Sequence, residues 1–553
     1  MTSVETLIIG AGPAGLQLGY FLEKGGHSYK IVERAAAAGS FYEVHPLSGF
    51  LTGVAARPAL AAAGLKADVN SLLTLSGEWE NFGEISKDYH PDRADFALYL
   101  NNFARKYALK VEYGTEAVKI RKGQKEDVYQ VDLRQERGAP LETLTCRRVV
   151  VATGLAGGQD ERGIVVEGIT GAERGEGGPH DLGGATGAAT LSKPEDFTAG
   201  SAGLAAAAGK RVLILGSGPA AAEVAEVLTP VAGQVVVHEF LGRGATSSAE
   251  DFKTLLRAAP TFRAACESGL TAATSFSATE KLFVIAGAVA TADQLPKYTL
   301  ATVCSAECAT RHPLPVAGSA EGFDLVVLAT GPRLDTGLFD FPLALSPDQK
   351  YPLLRWTYEA KDHRNLFFIG RLMQGLAPAT NASALGQLHG YRHLIEFMYR
   401  ALFEKKLEAR RFPVASIDKL LHHILYRINV APELFHLGGQ LSDIFYYDKE
   451  AKEIVYFESI SPWIIFVDSF KVAASAYLGV LSVEGPSAAA AGATALATGA
   501  SGRHPRLKIF KDVPQRGKQL LEDFALESNP LSEFTDRELY YNKFVRIMRM
   551  IIH

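Results

Sequence analysis

The sequence predicts an α/β fold of two doubly wound sheets, the second inserted in the first, with an α+β region after them. Three observations carry that prediction. A strand, a glycine-rich turn, a helix and a second strand follow one another from residue 6, and the same succession recurs from residue 211. Two further apolar strands, 149–154 and 325–331, end in the same Ala-Thr-Gly tripeptide, one after each unit. Beyond residue 411 the alternation stops, and a long amphipathic helix and a hairpin take its place.

In chain order, the first unit is strand Thr6–Ile9, a glycine turn, helix Ala14–Lys24 stopped by Gly25-Gly26, and strand Tyr29–Glu33. The apolar runs are too short for helices, and the double glycine ends the one helix that fits between them. Lys110–Tyr113, Val128–Leu133 and Arg147–Ala152 read as more strands of the same sheet. Residues 155–208 are rich in glycine and alanine and have little apolar patterning, so a flexible stretch is expected there. The second unit is strand Val212–Leu215, a glycine turn, helix Ala220–Leu228 and strand Gln234–His238. Asp324–Ala329 and Asn365–Ile369 are buried strands leading to a long helix that begins near Asn381. Ser416 is expected to cap a helix whose face is Ile417, Leu420, Leu421, Ile424, Leu425 and Ile428. Ile444–Tyr447 and Glu453–Phe457 form a hairpin around Lys449-Glu450-Ala451-Lys452. An alanine- and glycine-rich tract at 487–502 reads as a flexible insertion, and Glu538–His553 as a basic amphipathic helix docked on its own domain.

Composition bounds the function. A length of 553 residues exceeds one core, and 47% apolar content supplies more than one. A net charge of −4 gives no basic footprint for nucleic acid or for an anionic membrane surface. Four cysteines are too few for a disulfide framework. Cys304 and Cys308 are separated by three residues rather than the two of a thioredoxin-like pair, and with His312 they still lack a fourth ligand, so no metal site is expected. Asp468 and Lys471 interrupt the apolar run Trp463–Val483, which reads as a buried soluble segment and not a membrane span. The start Met1-Thr2-Ser3 enters a strand without a signal peptide, so the expected compartment is the cytoplasm if the chain is complete.

The chemistry lies in the glycine turns. Gly10-Ala11-Gly12-Pro13-Ala14-Gly15 follows a strand and opens a helix. Glycine there permits a tight turn and close backbone approach, while the helix N-terminus offers amides and positive dipole to a pyrophosphate. Glu33, closing the next strand 23 positions after Gly10, suits a ribose hydroxyl pair. Gly216-Ser217-Gly218-Pro219-Ala220-Ala221 repeats the pattern, with Glu239 at the same interval from Gly216. The chain therefore carries two Rossmann-like dinucleotide-binding units. A carboxylate at Glu239 favours the free 2′-hydroxyl of NADH, whereas Arg243 pulls toward the 2′-phosphate of NADPH, leaving NADH or NADPH open with a lean to NADH. The two Ala-Thr-Gly strands fit the chain crossings between the units.

With these motifs in place the chain resembles two-dinucleotide flavoproteins of the flavin-containing monooxygenase type. It resembles more closely the endoplasmic-reticulum flavoproteins associated with degradation. That likeness runs from residue 4 to about 460 and includes Gly39-Ser40-Phe41, Asp68-Val69-Asn70-Ser71-Leu72-Leu73 and Tyr89-His90-Pro91-Asp92. It continues through Pro194-Glu195-Asp196-Phe197, Tyr358-Glu359-Ala360, Asn365-Leu366-Phe367-Phe368-Ile369-Gly370 and His389-Gly390-Tyr391-Arg392. The resemblance implies FAD at Gly10, Gly12, Pro13, Ala14, Gly15, Glu33, Arg34, Ser40, Phe41, Val118, Thr153, Gly154, Gly370, Asn381 and Ser383. Val118 would meet the adenine, and Gly370 with the helix start at Asn381–Ser383 would face the flavin ring. NAD(P)H would lie at Gly216, Ser217, Gly218, Ala221, Glu239, Arg243, Thr330 and Gly331. The implied domains are 1–208 and 324–411 for FAD, 209–323 for NAD(P)H, and a 412–553 α+β region.

Three features are departures. The F-x-G-x-x-x-H motif of many flavin-containing monooxygenases is missing ahead of the second unit, Gly370 is followed by Arg371 where some other two-dinucleotide families have Asp, and the chain ends Met550-Ile551-Ile552-His553 rather than in the retention tetrapeptide of the degradation-linked flavoproteins. By resemblance, removal of a signal peptide would instead place the protein in the lumen. The expected function is an FAD-dependent, monooxygenase-like oxidoreductase, its flavin reduced by NAD(P)H and reoxidised by oxygen on a small-molecule substrate, with oxygenation or halogenation as the outcome. The alternatives are a flavin reductase acting on disulfides of a partner, and a flavin-bearing interaction protein docking through the C-terminal region. No protein acid or base is assigned.

Overall fold

The computed structural model describes residues 3–45, 51, 70–75, 81–86, 88, 91–124, 128–135, 140–155, 165–167, 190–192, 194–197, 201–215, 219–238, 275–276, 282–285, 297–299, 325–329, 331–347, 349–376, 383–404, 407–431, 433–434, 437, 439–466, 477–484, 504–513 and 517–525. The first part of the chain forms β1 (Ser3–Ile9), α1 (Pro13–Lys24), β2 (Tyr29–Glu33), α2 (Phe41–Val44), α3 (Arg93–Lys106), β3 (Val111–Tyr113), β4 (Glu116–Lys122), β5 (Tyr129–Arg134) and β6 (Glu142–Val151). These strands lie in the order β3-β2-β1-β6-β5-β4. Ile8 faces the core shared with α1 and α3, while Leu7 and Ile9 face the other, so β1 is apolar on both sides and reads as an unbroken run.

From β1 the chain steps to parallel β2 on one side and returns to parallel β6 on the other. Strand order thus reverses between β1 and β6, and a doubly wound sheet opens a crevice beyond the C-terminal strand ends at such a point. The short helix α2 was not anticipated from the sequence, nor were α3 and β4. Helix α3 is started by the Asp92 carboxylate, which accepts the Ala94 N–H at 2.7 Å, and buries Phe96, Tyr99, Leu100 and Phe103. Strand β4 is mostly polar and forms because β5 pairs with it.

The next part comprises β7 (Val165–Glu167), β8 (Thr190–Ser192), α4 (Ala202–Ala206), β9 (Arg211–Leu215), α5 (Pro219–Leu228), β10 (Gln234–His238), β11 (Ser275–Phe276), β12 (Leu282–Ile285), β13 (Lys297–Thr299) and β14 (Leu325–Leu328). The second sheet has the order β11-β12-β10-β9-β14-β8. Here β9 is parallel to β10 on one side and β14 on the other, which makes a second reversal. Part of the stretch expected to be flexible belongs to this sheet. Strand β8 pairs with β14, and Phe197 and Ala207 are buried with Val212, Ile214 and Val327. Strand β8 is bonded to β14 and β14 to β9, so both strands lie in the second sheet.

After β14 the chain returns to the first sheet. Leu334, Leu338 and Phe339 pack with Ile9, Val151 and Phe368, and β15 (Leu366–Phe368) pairs in parallel with β6. Helix α6 (Leu388–Tyr399) then packs on α1. It begins seven residues later than the expected start near Asn381, because Gln387 is extended at φ −115° and ψ 151° and a helix cannot run through that backbone.

The C-terminal region consists of β16 (Ala409–Pro413), α7 (Ile417–Val430), β17 (Ser442–Asp448), β18 (Glu453–Ile460), β19 (Tyr477–Glu484), β20 (His504–Val513) and β21 (Gly517–Ala525). Its antiparallel sheet has the order β16-β18-β17-β19-β20-β21, with the expected hairpin at β17 and β18. Leu420, Leu421, Ile424, Leu425 and Ile428 form the buried face of α7. Ser416 precedes α7 but makes no side-chain cap bond; at φ −114° and ψ 38° it is not in the extended conformation a capping serine adopts. The run Trp463–Val483 splits into a turn at Pro462–Phe466 and part of β19, with Trp463 exposed. Among the described residues no helix is long and apolar enough to cross a membrane. The expected tract 487–502, the terminal helix 538–553 and Cys266, Cys304, Cys308 and His312 lie outside the described residues.

Candidate dinucleotide site

The first reversal is built from the turn between β1 and α1. Gly10 has φ +109°, a conformation that side chains rarely adopt, and a Cβ on it would lie 2.8 Å from the Ala152 carbonyl oxygen at the end of β6. Gly15 is equally constrained, since a Cβ there would stand 2.0 Å from the Gly10 carbonyl oxygen. Gly12 differs from both. Nothing lies within 4 Å of a Cβ built on it, so the backbone before α1 opens on free space. Pro13 fills the first helical turn, Ala14 packs behind it, and no acidic side chain sits in that turn to cancel the dipole. A pyrophosphate fits this cradle: a Cβ at Gly12 would fill it, and bare amides and dipole face it.

Glu33 is buried at the end of β2. Its carboxylate accepts the Ala11 N–H at 2.8 Å and the Ala35 N–H at 3.0 Å, which ties the glycine turn to the next loop. Each oxygen keeps a lone pair for a ribose hydroxyl. Arg34, next along, is exposed. The loop then turns back, with the Gly39 N–H on the Ala11 carbonyl at 3.1 Å, and brings Ser40 to the start of α2. Phe41 is 58% exposed and stacks on His45 with ring centroids 4.8 Å apart. Val118 stands in a β-bulge between Ala117 and Lys119, the one irregularity of β4, and a bulge re-aims the side chain it carries.

Thr153 and Gly154 follow β6 directly, beside the turn. On the far side, a Cβ on Gly370 would stand 2.8 Å from the Ala14 Cβ, so the chain after β15 closes on the first turn of α1. Ser383 opens a short 3₁₀ turn, Ser383–Gly386, rather than the α-helix, which corrects the expected helix start. Asn381 lies outside the described residues. The fold thus gathers Gly10, Gly12, Pro13, Ala14, Gly15, Glu33, Ser40, Thr153, Gly154 and Gly370 around one crevice. At the second reversal, Ala221 is buried in α5 and Gly331 follows β14. Gly216, Ser217, Gly218, Glu239, Arg243 and Thr330 lie outside the described residues.

Sequence reasoning missed the side chains that brace the crevice. Asn101 of α3 accepts the Ala38 N–H at 3.1 Å and donates to the Ala38 carbonyl at 3.0 Å, fixing the loop that presents Ser40. Residues 71–75 are pinned from three helices. Gln17 accepts the Leu73 N–H at 2.7 Å and donates to its carbonyl at 3.0 Å; Tyr99 and Tyr20 accept the Leu72 and Leu75 N–H groups, both at 2.8 Å. Arg392 of α6, fully buried, donates to the Ser71 carbonyl at 2.6 Å. A cap signal at Asp92 would have revealed α3 and hence Asn101; the other pairings have no local signal.

The family model for pyridine nucleotide-disulphide oxidoreductases matches residues 7–166, the span of the first sheet through β6. The FAD-dependent oxidoreductase domain-containing protein 2 of Mus musculus is 29% identical over 475 residues, covering 82% of this chain and 65% of that protein. Its counterpart in Danio rerio is 26% identical over 487 residues, covering 80% and 65%. The chain thus spans about two thirds (65%) of the length of these curated relatives. Solved structures that are similar include a flavin-containing monooxygenase from Stenotrophomonas maltophilia, 19% identical with a TM-score of 0.47 and covering 73% of this chain and 100% of that one. Another is the bacillithiol disulfide reductase Bdr from Staphylococcus aureus, 17% identical with a TM-score of 0.48 and the same coverages, 73% and 100%. The chain thus carries two Rossmann-type sheets, the first of them in the span that matches the pyridine nucleotide-disulphide oxidoreductase model, and is similar to the FAD-dependent oxidoreductase domain-containing proteins.

Proposed function

We propose that this chain is an FAD-dependent oxidoreductase in which NAD(P)H reduces the flavin and oxygen reoxidises it on a small-molecule substrate. The observation that carries this reading is the open space at Gly12, framed by the N-terminus of α1 and the buried Glu33 carboxylate. FAD bound there supplies the redox chemistry: it accepts a hydride and passes the electrons on. The chain's own residues bind and orient. Backbone amides from Gly12 onward and the α1 dipole hold phosphate, Glu33 holds ribose, and Ser40 and Gly370 approach from the flanks. NAD(P)H is assigned to the second sheet at Gly216, Ser217, Gly218, Ala221, Glu239, Arg243, Thr330 and Gly331, with residues 1–208 and 324–411 assigned to FAD, 209–323 to NAD(P)H and 412–553 to a C-terminal region.

Cys146 is itself unsuited to a thiol relay. It is buried in β6 and its thiol is pushed up to about 12, so it is not a thiolate at neutral pH. The test is to load the purified chain with FAD, add NADH or NADPH without oxygen, and follow the visible flavin absorbance. Bleaching, then recovery in air without any added disulfide, is the expected result. Recovery that requires a disulfide would replace this reading with a reductase of partner thiols, and a chain that takes up no FAD would end it.

A further inference from the structure

We propose that Arg371, Tyr42 and Tyr391 form a recognition site for the carboxylate of an organic anion, the class of small-molecule substrate this chain takes; the inference rests on the oxidoreductase reading above. Three elements bring these residues together. Arg371 follows Gly370 after β15, where the chain closes on the first turn of α1. Its stem lies over the turn that precedes α6, since a Cβ on Gly386 would stand 3.6 Å from the Arg371 Cγ. Tyr391 sits near the start of α6 and is 7% exposed. Tyr42 belongs to α2, just after Ser40, and is half-buried with its ring edge-on to Phe96 at a centroid distance of 4.7 Å. The Arg371 charge acts on the Tyr42 hydroxyl, and Tyr42 acts in turn on Tyr391. Ser40 and Gly370 flank the dinucleotide crevice, so the cluster stands beside it.

All three groups are donors that lack an acceptor. Among the described residues neither hydroxyl has a hydrogen-bond partner, and the guanidinium has neither a hydrogen bond nor an ion pair. A tyrosine hydroxyl as buried as that of Tyr391 ordinarily has one. Burial raises the pKa of the Tyr42 hydroxyl against the pull of Arg371, and burial raises that of Tyr391 with Tyr42 adding to it. Both therefore stay protonated at neutral pH and donate. No carboxylate is among the influences on either, so the charge acting on the pair is positive alone. A guanidinium fork matches the two oxygens of a carboxylate, and the phenols suit its remaining lone pairs. Phe41 is exposed with its ring centroid 5.3 Å from that of Tyr42, an apolar wall for the body of such an anion. A cation would be repelled here, and a neutral amide would forgo the charge-assisted bonds.

The experiment uses the full FAD-loaded chain and its Arg371→Met, Arg371→Lys and Tyr391→Phe variants. The probe is benzoate, with benzamide as its uncharged isostere. Binding is read by equilibrium dialysis, alongside the FAD-to-protein ratio and the thermal midpoint. Benzoate is expected to bind, and benzamide about tenfold more weakly. Loss of the charge-assisted bonds raises the benzoate Kd in Arg371→Met by about ten- to a hundredfold and leaves that of benzamide unchanged. Arg371→Lys restores part of the affinity, because the charge returns without the fork. Tyr391→Phe weakens benzoate severalfold, and FAD content and midpoint stay at the unaltered chain's values throughout. Benzoate that binds no better than benzamide, or not at all, overturns the proposal, and so does an affinity unmoved in Arg371→Met. Loss of FAD from Arg371→Met would give the guanidinium to the flavin and overturn it as well. An unaltered chain that takes up no FAD ends the oxidoreductase reading before any benzoate is added, and the substrate assignment falls with it.

Discussion

At residue scale, the three glycines of one motif have different duties, and substitution separates them. Gly12 has φ −74°, open to any residue, and free space where a side chain would go. Gly12→Val is therefore expected to leave the thermal midpoint of the FAD-free chain within a few degrees while abolishing FAD retention, because the isopropyl group fills the phosphate cradle. Gly15→Val forces carbon into the Gly10 carbonyl, and overpacking of this kind costs about 1–3 kcal/mol or more. It should lower the midpoint and the FAD content together. Equal melting losses in both variants would refute the distinction. Glu33 was legible in the sequence from its interval to Gly10, since a period-bound strand must deliver its last side chain to the turn. Asn101 was not, because nothing in its neighbours says that it meets Ala38, 63 positions earlier.

At element scale, the C-terminal region is held by a buried ionic cluster between α7 and the β17–β18 hairpin. Arg427 of α7 donates to Asp443 of β17 through Nε at 2.7 Å and through an Nη at 3.0 Å, and the same Nη reaches Glu433 at 2.9 Å and the Ser459 hydroxyl at 2.6 Å. Tyr456 and the Ser459 backbone also donate to Asp443, both at 2.8 Å. Asp443 is fully buried, so Asp443→Ala leaves a buried guanidinium short of its counter-charge. Breaking such a pair costs about 3–5 kcal/mol. A urea midpoint for this region that is unmoved in Asp443→Ala would show the cluster to be dispensable.

The same cluster gives a pH dependence with a fixed sign. Burial works to raise the Glu433 carboxyl, but the charges of His393 and Arg427 and the Ser459 hydroxyl outweigh it and hold it at about 2. Glu458 is likewise pushed up by burial and pulled down further by His423, Arg427 and Arg410, also to about 2. An unfolded glutamate titrates near 4.5, so between that value and 2 the unfolded chain binds more protons than the folded one. The stabilisation is present in full above about pH 5 and disappears as pH falls toward 2. Circular dichroism melts over that range should show a falling midpoint, and a constant midpoint would contradict the assignment. The amphipathic face of α7 was readable from its period, and so was the hairpin. The cluster was not, since its members are brought together from a helix, a turn and two strands.

For the whole molecule, two sheets with their crevices at strand reversals make cofactor binding a term in stability. If FAD binds only the folded chain, supplying it at a hundred times its Kd stabilises the fold by about 2.7 kcal/mol. The apo chain should therefore melt below the loaded one, with the gap widening as FAD is raised. A midpoint independent of FAD concentration would mean that the cradle does not hold it.

The sequence by itself determined the two strand–helix–strand units, the Glu33 carboxylate at the end of the first, and the change of character after residue 411. These are local facts, because the turn geometry, the helix start and the strand period are all decided by residues within about one unit of each other. Only the tertiary structure decided that β8 and β14 belong to the second sheet, that Asn101 and Arg392 brace the first crevice, and that Arg371 comes to rest near Tyr42. Ladder bonds and buried side-chain contacts join residues tens to hundreds of positions apart, and such pairings have no period from which a single sequence could be read.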